Sequence, residues 1–158
     1  MANTKAYTDQ ELADLRSMPK RVTNPGARWS DKPKTRPGHR QRTFQAEGQA
    51  DQEVRFSVYQ RQNLADRSDF SCGISYNPPG APSLTLARYN GPSHEHGDIS
   101  YRSHIHRASE RAIAAGRKPE FEAQETNRFD TLEGALYCLI EDFNLAGLRA
   151  QPDMPKLF

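Results

Sequence analysis

The chain predicts an α+β fold: an antiparallel sheet of about four strands with two C-terminal helices on one face, preceded by a short helix and a basic irregular arm. Three observations carry that expectation. Apolar residues alternate with period two from Glu53 to Tyr89, a 3.6-residue period takes over after Arg107, and residues 20–48 show neither. A length of 158 residues suits one domain that buries roughly 68–70% of its unfolded surface. The mean hydropathy of -0.91 is low for a compact chain, so part of it is expected outside the core.

Thr8-Asp-Gln-Glu11 is a capping box, and Leu12 and Leu15 give the helix it starts a narrow apolar stripe that Pro19 ends. Residues 20–48 then carry Pro25, Pro33 and Pro37 with glycines and no period, and read as an arm or loop. Together, residues 1–48 form an N-terminal helix and basic arm, 49–147 an α+β domain, and 148–158 an irregular tail. In the domain, EVRFSVYQ alternates from Glu53, DFSCGISY from Asp69 and SLTLARY from Ser83, with turns at 63–68 and 77–82. These make an antiparallel meander. Tyr101 to His106 is a polar fourth strand, expected at a sheet edge or at a site. Ala108, Ala112, Ile113 and Ala115 then mark a helix that Gly116 can stop. Asp130 or Thr131 caps a second, with Leu132, Ala135, Leu136, Leu139, Ile140 and Phe143 as its core stripe.

The charge balance is uneven along the chain. From Lys20 to Arg42 there are eight Lys or Arg and one acid, Asp31, whereas Glu120 to Asp142 holds seven acids and one base, Arg128. Within the basic segment, Arg28, Lys32, Lys34, Arg36, Arg40 and Arg42 could follow a phosphate backbone while Trp29 stacks on a base, with Arg102 and Arg107 adding cations near the histidines. A solvated face is the alternative for this charge run, and an exposed loop for the acids Glu120, Glu122, Glu125 and Asp130. Cys72 and Cys138 fit no disulfide or zinc spacing and read as small buried hydrophobes. Neither a signal peptide nor an apolar run of membrane-spanning length is evident, so a cytoplasmic protein with no membrane partner is expected.

Four of the five histidines fall in RYNGPSHEHGDISYRSHIH, residues 88–106, as two His-x-His pairs, His94 with His96 and His104 with His106. On an extended segment, each pair projects from one face. Imidazole titrates near neutrality, so two histidines can supply base and acid to a phosphodiester without a metal, while Arg88, Tyr89 and Arg107 provide cationic and phenolic groups. Alternatively, His94, His96, His104 and His106 could ligate zinc or manganese and support a metal-dependent hydrolase. A third possibility is structural: histidines that order a loop in a non-catalytic binding module. His39, in the arm, reads as a surface residue.

The order Arg88-Tyr89-Asn90, a His-rich loop, His104-Ile-His106 and a closing helix resembles small prokaryotic toxins of the TumE kind, over about residues 83–145. Asn90 stands where that pattern has Asp. The resemblance implies a toxin, mobile-element or defence protein acting on RNA, with a cognate antitoxin as partner. The expected function is metal-independent RNA cleavage led by His104 and His106, with His94 and His96 supporting and no cofactor. A nucleic-acid- or protein-binding module, inhibitor or antitoxin-like, is the alternative from another class.

Overall fold

The computed structural model describes residues 6–31, 38–93 and 101–154. Among them the chain forms α1 (Asp9–Ser17), β1 (Lys20–Val22), β2 (Ser30–Asp31), β3 (His39–Gly48), β4 (Arg55–Asn63), β5 (Phe70–Tyr76), β6 (Leu84–Asn90), β7 (His104–Arg107), α2 (Glu110–Ala114), β8 (Glu122–Glu125), α3 (Leu132–Asp142) and β9 (Leu145–Ala146). The strands join one sheet in the order β8-β7-β6-β5-β4-β3-β1-β9, with β2 paired to β3. All neighbours are antiparallel except β1 and β9, which run parallel.

This corrects the predicted fold. The sheet is mixed and has nine described strands rather than four, and a single substantial helix, α3, packs on it. The other C-terminal helix, α2, has only five residues, and its first residue exchanges carboxylates with α1: Asp9 N–H donates to Glu110 and Glu110 N–H to Asp9, both at 2.9 Å. The supposed arm is also corrected, because residues 20–48 contain β1, β2 and the ten-residue β3. Its polarity misled because strand β3 presents polar side chains at its first five positions. Only Phe44, Ala46 and Gly48 along it are buried. Likewise β8 occupies the acidic stretch read as a loop, which makes β7 an interior strand rather than an edge.

Local signals explain the ends of the helices. The Thr8–Glu11 capping box is present on α1, and Thr131 caps α3 by accepting from Gly134 N–H at 3.0 Å. The core lies between α3 and one sheet face. There Leu132, Ala135, Leu136, Leu139 and Phe143 meet Phe44, Phe56, Val58, Phe70, Cys72, Ile74, Ala87 and Tyr89, all buried. Both cysteines are buried thiols, as the sequence suggested. Lys20 is buried at 0% exposure; its ammonium donates to the carbonyls of Arg16, Met18 and Phe143 at 2.8–2.9 Å. It thus closes the C-terminal ends of α1 and α3 together. None of the described helices is long and apolar enough to cross a membrane.

Candidate active site

In an antiparallel ladder, directly opposed residues share a face, so register alone decides which side chains meet. One row across the sheet reads Thr43, Tyr59, Gly73, Arg88, His106 and Ala123; the next reads Gln41, Arg61, Ser71, Asn90, His104 and Glu125. Both rows lie on the face away from the core that α3 covers. His104 and His106 are two apart on β7, and their ring centroids stand 5.2 Å apart, edge to face. They are 2% and 1% exposed, and Arg88 is paired across from His106.

The hydrogen bonds fix the tautomer of both rings. His104 Nδ1 lies 3.0 Å from the Arg102 carbonyl and His106 Nδ1 3.0 Å from the Glu120 carbonyl. A carbonyl can only accept, so each Nδ1 carries a proton. A directed chain of polar side chains leads to His104. Asn90 Nδ2 faces His104 Nε2 at 3.4 Å, Ser71 donates to Asn90 Oδ1 at 2.8 Å, and Tyr59 and Ser71 hydroxyls are 2.9 Å apart. With Ser71's proton given to Asn90, the Tyr59 hydroxyl must donate to Ser71. Burial pushes the Tyr59 phenol up, so that it stays protonated as this donor.

Sequence reasoning missed several of these groups. Glu120, read as an exposed loop acid, is 7% exposed and sets Oε2 3.3 Å from Arg88 Nε, close but not aligned as a hydrogen bond. His39 is not a loose surface residue either. Arg61 donates to its Nδ1 at 2.9 Å and binds Asp69 at 3.2 Å, so His39 carries its proton on Nε2, 4.0 Å from Asp69. The polar half of the alternation in β4 and β5, Tyr59, Arg61 and Ser71, was the available signal. Without the register, nothing tied it to β7.

Other expected site residues fall elsewhere. Tyr89 lies on the opposite face, fully buried, and donates to Asp142 at 2.5 Å; this removes it from any shared site with the histidines. Burial first and then Asp142 push its phenol well up. Arg107 likewise sits on the far face from His106, 3.8 Å from Asp142, which Arg128 grips with two bonds of 2.9 Å. Burial alone would raise the Asp142 carboxyl, but the bonds from Arg128 and Tyr89 and the charges of Arg128 and Arg107 hold it below its ordinary range. Arg102 pairs with Glu125 at 3.2 Å on the surface, where such a bridge contributes little. Arg40 and Arg42 lie on the α3 side of β3 with their guanidiniums over the Trp29 ring, and Arg28 is exposed. Lys32, Lys34, Arg36, His94 and His96 lie outside the described residues, so the two His pairs cannot be placed together.

Among the described residues, no three His, Cys, Asp or Glu side chains are grouped as a metal ion would require. Compared with known proteins, the chain matches no family model, no curated protein and no solved structure.

Proposed function

We propose that the polar face of the sheet acts on RNA by metal-independent acid–base cleavage, as expected for a cytoplasmic toxin-type protein. The observation that supports it most is the common tautomer of His104 and His106. Two imidazoles side by side, each anchored through Nδ1, are the parts needed to move a proton on and off a ribose phosphate. In this reading, His104 is the base, with the Asn90 amide beside its Nε2. It takes the proton of the RNA 2'-OH as that oxygen attacks phosphorus. His106, protonated at Nε2, gives its proton to the departing 5'-oxygen, and Arg88, on the same row, balances charge on the phosphate. The product is a 2',3'-cyclic phosphate and a free 5'-hydroxyl. With both rings almost fully covered, the reading requires the polar face to open when RNA arrives.

The test is purified protein incubated with total RNA in EDTA, with products resolved by end chemistry. Cleavage that persists in EDTA, leaves cyclic phosphates and falls at least 100-fold in His104→Ala and His106→Ala is the expected result. Variants that cleave as fast as wild type would remove the assignment. Activity abolished by EDTA would favour a zinc- or manganese-dependent hydrolase, and RNA retention with no cleavage a non-catalytic binding module. An antitoxin partner is proposed on the same footing, and co-purification with the product of an adjacent small gene would reveal it.

A further inference from the structure

On the other side of the sheet, a cavity of about 600 Å³ opens between the start of β3, the β4–β5 turn and the beginning of α3. Four arginines line it: Arg40, Arg42, Arg67 and Arg149. Being two residues apart on β3, Arg40 and Arg42 point the same way, and their guanidinium carbons rest 4.1 and 4.5 Å from the Trp29 ring centroid. Each is also held by a buried amide: Arg40 donates to Gln62 at 3.0 Å and Arg42 to Gln60 at 2.6 Å.

These anchors are neutral. Among the described residues, none of the four arginines forms an ion pair. Arg40 Nε is buried without a hydrogen-bond partner. Burial first and then the charge of Arg40 press the Arg42 pKa downward, while the carboxylates of Asp130 and Glu133 line the same cavity. A surface arginine with no task would be free to swing into water. Two that are stacked on one indole and pinned by buried glutamines are preorganised instead.

We infer that this cavity binds a phosphorylated ligand of nucleotide size, with its phosphate on Arg40 and Arg42. Guanidinium edges match phosphoryl oxygens in bidentate fashion, and the cavity falls within the roughly 300–1,000 Å³ of small-molecule sites. The indole is already engaged by the two guanidiniums, so phosphate contact, rather than base stacking on Trp29, is the main recognition. At the α3 N-terminus, Asp153 takes the Thr131 N–H and Thr131 takes the Gly134 N–H. Glu133, exposed on the cavity wall, gives acceptors for hydroxyl or amino donors; a nucleoside carries these and a bare anion lacks them. This site stands on different residues, on the other face, from the histidine proposal, and does not depend on it.

The experiment is calorimetric titration of the full chain with sodium pyrophosphate, in parallel with thermal melts. Saturable heat and a rise in Tm are expected, with affinity reduced at least tenfold in Arg40→Gln and Arg42→Gln and unchanged in Arg16→Gln on exposed α1. Arg67→Gln and Arg149→Gln alter exposed side chains and keep the test usable if a β3 variant does not fold; each is expected to weaken binding at least threefold. ADP and a 5'-phosphorylated oligouridine are then compared: tighter ADP makes a free nucleotide the source of the phosphate, and a tighter oligonucleotide makes it an RNA end. Absence of heat and of any Tm shift at 10 mM pyrophosphate would overturn the inference. So would unaltered binding in all four variants, or citrate binding as tightly as pyrophosphate.

Discussion

Replacing Lys20 with methionine isolates one buried charge whose surroundings pull it in two directions. Its side chain is 0% exposed, and its ammonium meets three carbonyls at 2.8–2.9 Å and lies over the rings of Phe56 and Phe143 at 4.9 and 5.6 Å from their centroids. Burial nevertheless lowers its pKa from 10.5 to about 7. Methionine keeps the length and the apolar contacts but leaves three carbonyls without a donor, at about 1–3 kcal/mol each. Relief of the buried charge offsets part of that loss, up to about 4.8 kcal/mol for a shift of about 3.5 units at 1.36 kcal/mol per unit. The expected net effect at pH 7 is a loss of about 2 kcal/mol. Between pH 7 and 10.5 the unfolded chain binds the proton that the folded chain has released, so wild-type stability rises with pH. Urea titrations at pH 7, 8 and 9 should therefore show the gap between wild type and Lys20→Met widening by up to about 1.4 kcal/mol per pH unit. Three acceptors need three N–H groups and a neutral amine has two, which makes that slope an upper limit. A variant as stable as wild type at pH 7 would refute the capping role. A gap that stays flat to pH 9 would show that the carbonyls and rings hold the proton against burial.

Three further outcomes follow from the same geometry. Asp142→Asn removes the charge and one of the two oxygens that accept from Arg128 and Tyr89, and should cost about 2–4 kcal/mol in urea unfolding; because the folded carboxyl titrates below its ordinary 3.8, this contribution is complete above that pH and disappears as pH falls through the lower folded value. Gly73→Ala would place a Cβ 2.7 Å from both the Ala87 carbonyl and the Tyr59 ring, so a Tm lowered by an overpacking cost of about 1–3 kcal/mol is expected, and an unchanged Tm would contradict the packing. Ser71→Ala interrupts the chain from Tyr59 to Asn90, with an expected loss of about 1–2 kcal/mol and, if the polar face is catalytic, slower RNA cleavage with EDTA present; rescue by Ser71→Thr would tie both effects to the hydroxyl.

Elements announced by local chemistry were legible in the sequence. The Thr8–Glu11 box, the α3 stripe and the alternation through β4, β5 and β6 each depend on neighbours a few residues away. What escaped depends on partners far along the chain. Strand β3 looks like a polar arm because Arg40 and Arg42 find Trp29, Gln60 and Gln62 only after the strands pair. β8 looks acidic and loose because Arg111 and Arg102 lie elsewhere in sequence. In β6, strict alternation groups Leu84 with Leu86 and Arg88. A register shift opposite Ile74 and Ser75 inserts Leu86 as an extra residue, so Leu84 shares the core face with Ala87 and Tyr89, while Arg88 turns to the polar face. Of the site itself, the histidines and Arg88 were visible as a cluster, whereas Glu120, Ser71 and Tyr59 join them only through register.

The parallel pairing of β1 with β9 sets a timetable for the newborn chain. Lys20 and the Phe143 carbonyl that it caps are 123 residues apart, and β1 lacks its outer neighbour until β9 has been made. At about 5–20 residues per second, that interval is roughly 6–25 s of translation. By its end eight of the nine described strands have been made without β9 to close them. A stop codon or protease cut before Leu145 would therefore leave β1 permanently unpaired on one side, rather than merely shorten a tail.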